Sequence, residues 1–232
     1  MGRYSLDQKG LVYANANNDG FDQGKYTTIS ADNDGIIPVT DTAWFDDEDM
    51  TKRTIAFVEK VWGHDTLEDN LRFIASALGG KTTDTPSETI RDYLVNGFYK
   101  DHLQRYQKRP IYWMFSSGKE KAFQCLVYMH RMTPQTLARI RTQFVSPLMG
   151  KLSVALQNID AQILNAVTAT ESRNLNKQKD KLNKQAIELA KYDEDLKHAI
   201  DQNITIDLDD GVKVNYGKFE GLVAEYKTVA GK

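Results

Sequence analysis

Between Lys100 and Arg141 the sequence gathers nine basic residues, Lys100, Arg105, Lys108, Arg109, Lys119, Lys121, Arg131, Arg139 and Arg141, against only Asp101 and Glu120. Rings are interleaved with them. Lys108-Arg109-Pro110 runs directly into Ile111-Tyr112-Trp113, and Phe115, Phe123 and Tyr128 follow. Cations that hold phosphates beside rings that stack on bases are the chemistry of nucleic-acid contact. The clustering matters because the 232-residue chain has a formal charge of −2, and residues 1–50 set ten acids against three basic groups. Like charges confined to one stretch repel one another unless a polyanion offsets them. Trp113, Phe115, Phe123 and Tyr128 also suit a hydrophobic core, which is the preferred reading for those rings; the cations are read as functional. The candidate DNA-contacting set is Arg105, Lys108, Arg109, Tyr112, Lys119, Lys121, Arg131, Arg139 and Arg141.

Other chemistries fail on spacing. Gly118-Lys119 suggests a phosphate loop, but that pattern needs Gly at 113 and Ser or Thr at 120, where Trp113 and Glu120 stand. No Gly-x-Gly-x-x-Gly offers a cofactor the close backbone approach it needs. The aspartates at 32, 34, 207, 209 and 210 lack calcium-loop spacing and read as turn residues. His64, His102, His130 and His198 share no metal-ligand spacing with one another or with Cys125. Glu225-Tyr226-Lys227 fits the tail of a nuclease metal motif, but three such common residues carry little information. Gly-x-Ser-x-Gly, the elbow of a serine nucleophile, is missing. No catalytic, cofactor or metal residue is therefore assigned.

The elements that would position the basic block read as α+β, mostly helical. Residues 1–50 are rich in Asn, Asp and Gly, with short strands at Leu11-Val12-Tyr13 and Ile36-Ile37-Pro38-Val39 and turns at Asn18-Asp19-Gly20 and Asp34-Gly35. Asp46-Asp47-Glu48-Asp49 places negative charge before a helix near 51–62 that Gly63 can end. Thr66 with Asp69 resembles a capping pair for a second helix ending at Gly79-Gly80. Thr85-Pro86-Ser87-Glu88 is a capping box opening a third that runs to about Tyr106. Pro110 stops it, and Ile111–Phe115 predicts a strand. Residues 122–130 fit a strand or a buried helix, and the turn at Ser116–Lys119 favours a central β-hairpin.

Thr133-Pro134 opens another helix, which Pro147 and Gly150 are expected to kink or break. Apolar residues from Leu152 to Val167, then leucines at 175, 182, 189 and 196, predict two long antiparallel helices joined near 168–174. Their leucine seam can be buried between them or offered to a partner. Ile204–Leu208, Asp209-Asp210-Gly211 and Val212–Tyr216 read as a small C-terminal β-hairpin, with a short helix around Phe219–Tyr226. The expected organisation is a mixed α/β segment with the basic hairpin (1–147), the helical pair (148–203) and the C-terminal hairpin and helix (204–232).

A hydrophobic fraction of 41% with 27% charged residues excludes a disordered or fibrous chain. The lone cysteine excludes a disulfide framework and fits a reducing compartment, so the cytoplasm is expected; no apolar run suits a membrane span or a signal peptide.

The block also carries a resemblance. Tyr106-Gln107-Lys108-Arg109-Pro110-Ile111-Tyr112-Trp113-Met114-Phe115-Ser116-Ser117-Gly118-Lys119, with Lys121-Ala122-Phe123 and Leu126-Val127-Tyr128-Met129-His130-Arg131, resembles the C-terminal half of the large adenine-specific DNA methyltransferases of BREX phage-exclusion systems, the PglX type. Arg3–Asp7, Gly10–Tyr13, Asp34–Pro38, Asn70–Ala75 and Asp209–Tyr216 agree in order. In that family the methyl-donor loop and the Asn-Pro-Pro-Tyr-type motif holding the flipped adenine lie in an N-terminal domain, and this sequence contains neither. The resemblance implies a non-catalytic C-terminal segment that handles double-stranded DNA. S-adenosylmethionine is expected only in the absent N-terminal methyltransferase domain, which would be its partner within the parent protein. The alternative is a protein-interaction module whose helical pair docks other defence-complex subunits or a second copy.

Overall fold

The computed structural model describes residues 4–6, 11–14, 27–30, 34–80 and 84–231. Its class is α+β and mostly helical, as expected. Strands β1 (Tyr4–Leu6), β2 (Leu11–Ala14) and β3 (Thr27–Ser30) form an antiparallel sheet in that order. The expected turn at Asn18-Asp19-Gly20 lies outside the described residues. The Asp34-Gly35 turn is present: Asp34 Oδ1 accepts from Ile36 N–H at 2.9 Å, and Gly35 has φ +72°.

The central sheet has the order β4 (Ile36–Pro38), β6 (Gln124–Tyr128), β5 (Tyr112–Ser116). The predicted β5–β6 hairpin pairs Tyr112 with Tyr128 at its open end and Ser116 with Gln124 beside its turn. Trp113, Phe115 and Phe123 are fully buried, as core residues should be. One cluster of buried apolar side chains runs from Ile36 through this hairpin and the long helices to Val229, so all three sequence segments contribute to it.

Helix α1 (Met50–Trp62) starts where Asp49 accepts from the Thr51 and Lys52 N–H groups. Asp49 is also held by Arg91, with Nη1–Oδ2 at 2.8 Å and Nη2–Oδ1 at 2.9 Å. Helix α2 (Leu67–Ala77) forms without the Thr66 cap expected for it: the Thr66 hydroxyl donates back to the Trp62 carbonyl instead. The Thr85–Glu88 capping box is present and opens α3 (Pro86–Asn96). The helix expected to run to Tyr106 is interrupted at Gly97, and α4 (Phe98–Arg105) follows.

Pro147 does not break its helix. The chain is helical from α5 (Thr136–Arg139) through a π-helical stretch, Ile140–Val145, into α6 (Ser146–Leu164). The wider register just before the proline absorbs the hydrogen bond that its missing N–H cannot make. Helices α6 and α7 (Ala169–Asp201) form the predicted antiparallel pair, but the junction is residues 165–168 rather than 168–174. Thr168 accepts from Glu171 N–H at 3.1 Å and Glu171 from Val167 N–H at 3.1 Å, so the polar patch starts a helix rather than a loop. Within the seam, Leu189 and Leu196 are buried inside the chain and Leu182 is half-buried against the core.

The C-terminal β-hairpin expected at 204–216 is not a hairpin. Leu208–Asp210 is a 3-10 turn and Gly211–Tyr216 a helix, α8. Asp207 Oδ1 accepts from Asp209 N–H at 3.0 Å, and buried Asn215 both accepts from Asp207 N–H and donates to the Gly211 carbonyl, each at 3.0 Å. This local side-chain bonding competes successfully with a strand ladder. The short helix expected around Phe219–Tyr226 is displaced to α9 (Tyr226–Ala230). The preceding residues extend the sheet edge instead: Ser116 N–H donates to Leu222 and Ala224 N–H to Met114.

Candidate nucleic-acid interface

The open end of the β5–β6 hairpin carries a continuous file of rings. Tyr106 meets His102 at 4.6 Å between centroids, His102 meets Tyr112 at 5.9 Å, Tyr112 meets Tyr128 at 5.3 Å, and Tyr128 meets His130 at 5.3 Å. His102 is buried beneath Tyr106, and its Nε2 accepts from Tyr112 N–H at 3.4 Å, which places the neutral ring's proton on Nδ1. Burial holds the His102 pKa below its usual value, against the opposing effect of that hydrogen bond. Burial pushes the Tyr112 phenol up, followed by neighbouring Tyr128 and Tyr106, while the Arg131 guanidinium acts in the opposite direction.

Cations border this file. Arg105 ends α4, and exposed Lys108 and Arg109 follow within a tight helix stop. Gln107 N–H donates to Gln104 and Lys108 N–H to Leu103, the double bond pattern of a Schellman turn. The left-handed position belongs to Gln107, with φ 50°, and Lys108 follows at φ 62°. Two successive non-glycine residues in that region store backbone strain, a feature concentrated at functional sites. Across the sheet, Arg131 lies against Gly35 and Tyr128: its Cβ and Cδ are 3.3 Å from where a Gly35 side chain would begin.

The remaining candidates lie apart. Lys119 is exposed in the hairpin turn, at the opposite end of the strands. Lys121 donates to the Val95 carbonyl at 3.2 Å and to Asn96 Oδ1, and is committed to positioning α3. Arg139 is exposed on α5. Arg141 donates to Asp193 Oδ2 at 2.9 Å and ties the π-helical stretch to α7. Arg105, Lys108, Arg109 and Tyr112 thus follow one another from the end of α4 into β5, with Arg131 acting on Tyr112 from beyond β6, whereas Lys119, Lys121, Arg139 and Arg141 stand on other elements. The structure adds Tyr106, His130 and Tyr128, the last expected from the sequence to be a core ring but only half-buried at the end of β6. The acidic residues Asp41, Asp46 and Asp49 pair with Lys181, Lys52 and Arg91.

The turn shows why a phosphate loop is not formed there. Glu188 of α7 accepts from Ser117 Oγ at 2.7 Å, Glu120 N–H at 2.7 Å and Ala122 N–H at 3.2 Å. A carboxylate from the chain itself fills the donors that an anion would use. Among the described residues, no three His, Cys, Asp or Glu side chains converge as a metal site, and no helix is long and apolar enough to cross a membrane.

No protein-family model matches the chain. It is 49% identical over 240 residues to the adenine-specific methyltransferase BrxX of Escherichia coli O9:H4 (strain HS), a match covering 100% of this chain and 20% of that protein. It is 42% identical over 220 residues to the adenine-specific methyltransferase PglX of Lacticaseibacillus casei (strain Zhang), covering 94% of this chain and 18% of that protein. The chain spans about a fifth of the length of the curated relatives it matches. It is a homologue of a segment of adenine-specific methyltransferases. More particularly, it corresponds to a region of the BREX methyltransferases of PglX type, the group its central motif resembles.

Proposed function

We propose that this chain is a non-catalytic, DNA-binding segment at the C-terminal side of an S-adenosylmethionine-dependent adenine-N6 DNA methyltransferase of PglX type, acting in phage defence. The DNA backbone lies across the open end of the β5–β6 hairpin. Arg105, Lys108, Arg109 and Arg131 contact phosphates there, and Tyr106, Tyr112 and Tyr128 give the sugar–phosphate chain an apolar, ring-lined bed. The methyl donor and the flipped base belong to the N-terminal domain of the parent enzyme. What supports this reading is that Arg105 ends α4 and exposed Lys108 and Arg109 stand in the turn leading into β5, next in the chain to a file of rings whose Tyr112 also feels Arg131, in the 3-10 turn after β6. Phosphate contacts of this type fix register and orientation without reading sequence.

The test is DNA methylation by the intact enzyme with its partners, before and after Lys108→Glu with Arg109→Glu. Loss of methylation with unchanged circular dichroism and S-adenosylmethionine binding supports the role in substrate handling. Full methylation by the folded variant refutes it.

A second role rests on the turn between α6 and α7, where Leu164 is 87% and Val167 91% exposed. Adjacent apolar side chains at the end of a long helical pair suit docking of another defence subunit. Leu164→Asp with Val167→Asp should abolish co-purification of that subunit while leaving DNA binding intact.

A further inference from the structure

Of the three tyrosines in the ring file, Tyr112 and Tyr128 are half-buried, whereas Tyr106 is 41% exposed. Tyr106 ends a column of rings that climbs α4 at four-residue spacing. Phe98 stacks on His102 with centroids 5.9 Å and planes 20° apart, Tyr99 stacks on the same imidazole at 6.1 Å, and His102 meets Tyr106 at 4.6 Å. Among the described residues, His102 is the one ring that Tyr106 touches. The Tyr106 N–H donates to the His102 carbonyl at 3.0 Å and its carbonyl accepts from Arg109 N–H at 2.9 Å, so its backbone is held on both sides. A ring fixed in this way offers its uncovered face to another planar group at little cost in conformational freedom.

The charges beside the ring select that group. Arg105 immediately precedes Tyr106, and Lys108 and Arg109 follow it by two and three positions, all of them exposed. Among the described residues none of the three is paired with an acid. Asp101, the one acid of α4, accepts from the Tyr93 hydroxyl at 2.9 Å. Unpaired cations on both sides of an exposed ring fit a nucleotide: the ring takes the base and the cations take the flanking phosphates. In a paired duplex each internal base is covered on both faces by its neighbours, so only a base that has left its stack can lie on Tyr106.

We infer that Tyr106 is a base-stacking platform: this face takes DNA carrying an unstacked base, laid on the uncovered side of the Tyr106 ring, with the neighbouring phosphates at Arg105, Lys108 and Arg109. The inference rests on the DNA-binding role proposed above and adds to it the structural class of the DNA. Every base has a π-face, so the platform selects for an opened base and not for a sequence.

The experiment titrates the 232-residue chain into two end-labelled duplexes of the same sequence, one fully paired and one with a single bulged 2-aminopurine, followed by anisotropy. The bulged duplex is expected to bind about tenfold tighter, within the range that one base–ring stack supplies. Its 2-aminopurine emission should fall on binding, because stacking on an aromatic ring quenches it. Tyr106→Ala, with unchanged circular dichroism, should abolish both the preference and the quenching. Tyr106→Phe should keep both, since the ring and not the hydroxyl does the stacking. A single strand carrying the same fluorophore, bound as tightly as the bulged duplex and quenched by the same ring, would keep the assignment and identify unwound DNA as the source of the base. Equal binding of the two duplexes, or a preference that survives Tyr106→Ala, would overturn the inference and leave the DNA-binding role standing. Failure of either duplex to bind at low salt would overturn both.

Discussion

Removing Lys108 and Arg109 together should halve the salt dependence of DNA binding. Each phosphate neutralised on B-form DNA contributes about −0.9 to the slope of log affinity against log salt. The four proposed phosphate contacts, Arg105, Lys108, Arg109 and Arg131, would give the wild-type chain a slope of about −3.6. Raising salt from 50 to 200 mM should then weaken binding about 150-fold. Lys108→Ala with Arg109→Ala leaves two contacts, a slope of about −1.8 and a loss of only about 12-fold over the same range. Fluorescence anisotropy with a labelled duplex measures both slopes. Lys121→Ala serves as the internal comparison, because its ammonium is bound to Val95 and Asn96, and it should leave the slope where it was. A slope unaltered in the double variant, or reduced just as much by Lys121→Ala, would refute the assignment of this face.

Other outcomes follow from individual contacts. Asp49→Ala should cost about 3–5 kcal/mol in denaturant titrations, because it strands the Arg91 charge in a largely buried position and uncaps α1; Asp49→Ala with Arg91→Leu should cost less than the sum of the single changes. Gln107→Gly should raise stability by about 0.5–1 kcal/mol, the left-handed penalty relieved less the extra chain entropy of glycine, read as a higher thermal midpoint. The depressed pKa of His102 means that the unfolded chain takes up its proton first as pH falls. Stability should therefore decline from about pH 6.5 down through the lower folded-state value and then level off, and His102→Gln should remove that component of the pH profile.

Much of the helical framework was legible because its signals are local. The Thr85-Pro86-Ser87-Glu88 box, the Gly63 stop and the leucine repeat each act within one or two turns of chain, and the structure uses them as written. The β-hairpin was legible for the same reason. What escaped was decided at long range. Alternation across Ile204–Tyr216 fits a strand, but Tyr216 is drawn into the core against Trp113 at 5.2 Å and within 2.9 Å of the Tyr99 hydroxyl, while Asp207 and Asn215 fold the intervening residues into turns. The pairing of β4 with β6 joins segments nearly ninety positions apart, which no local pattern reports. Thr168-x-x-Glu171 is a local helix start that its polar surroundings disguise as a loop. For the site, charge density identified the correct region and could not rank its members. Lys121 and Arg141 look the same in sequence as Lys108 and Arg109, and only their partners Asn96 and Asp193 distinguish anchors from exposed contacts.

The Glu188 clasp has a mechanical corollary. Helix α7, 33 residues long and therefore roughly 50 Å at about 1.5 Å per residue, grips the hairpin turn through three donors near its middle. Its N-terminal half projects as an arm, so a load applied at residues 165–168 is delivered to the sheet edge with leverage instead of being dissipated in a loose joint. A force on that arm would reach the hairpin turn through Glu188 and, along β5 and β6, the ring-lined end beyond it.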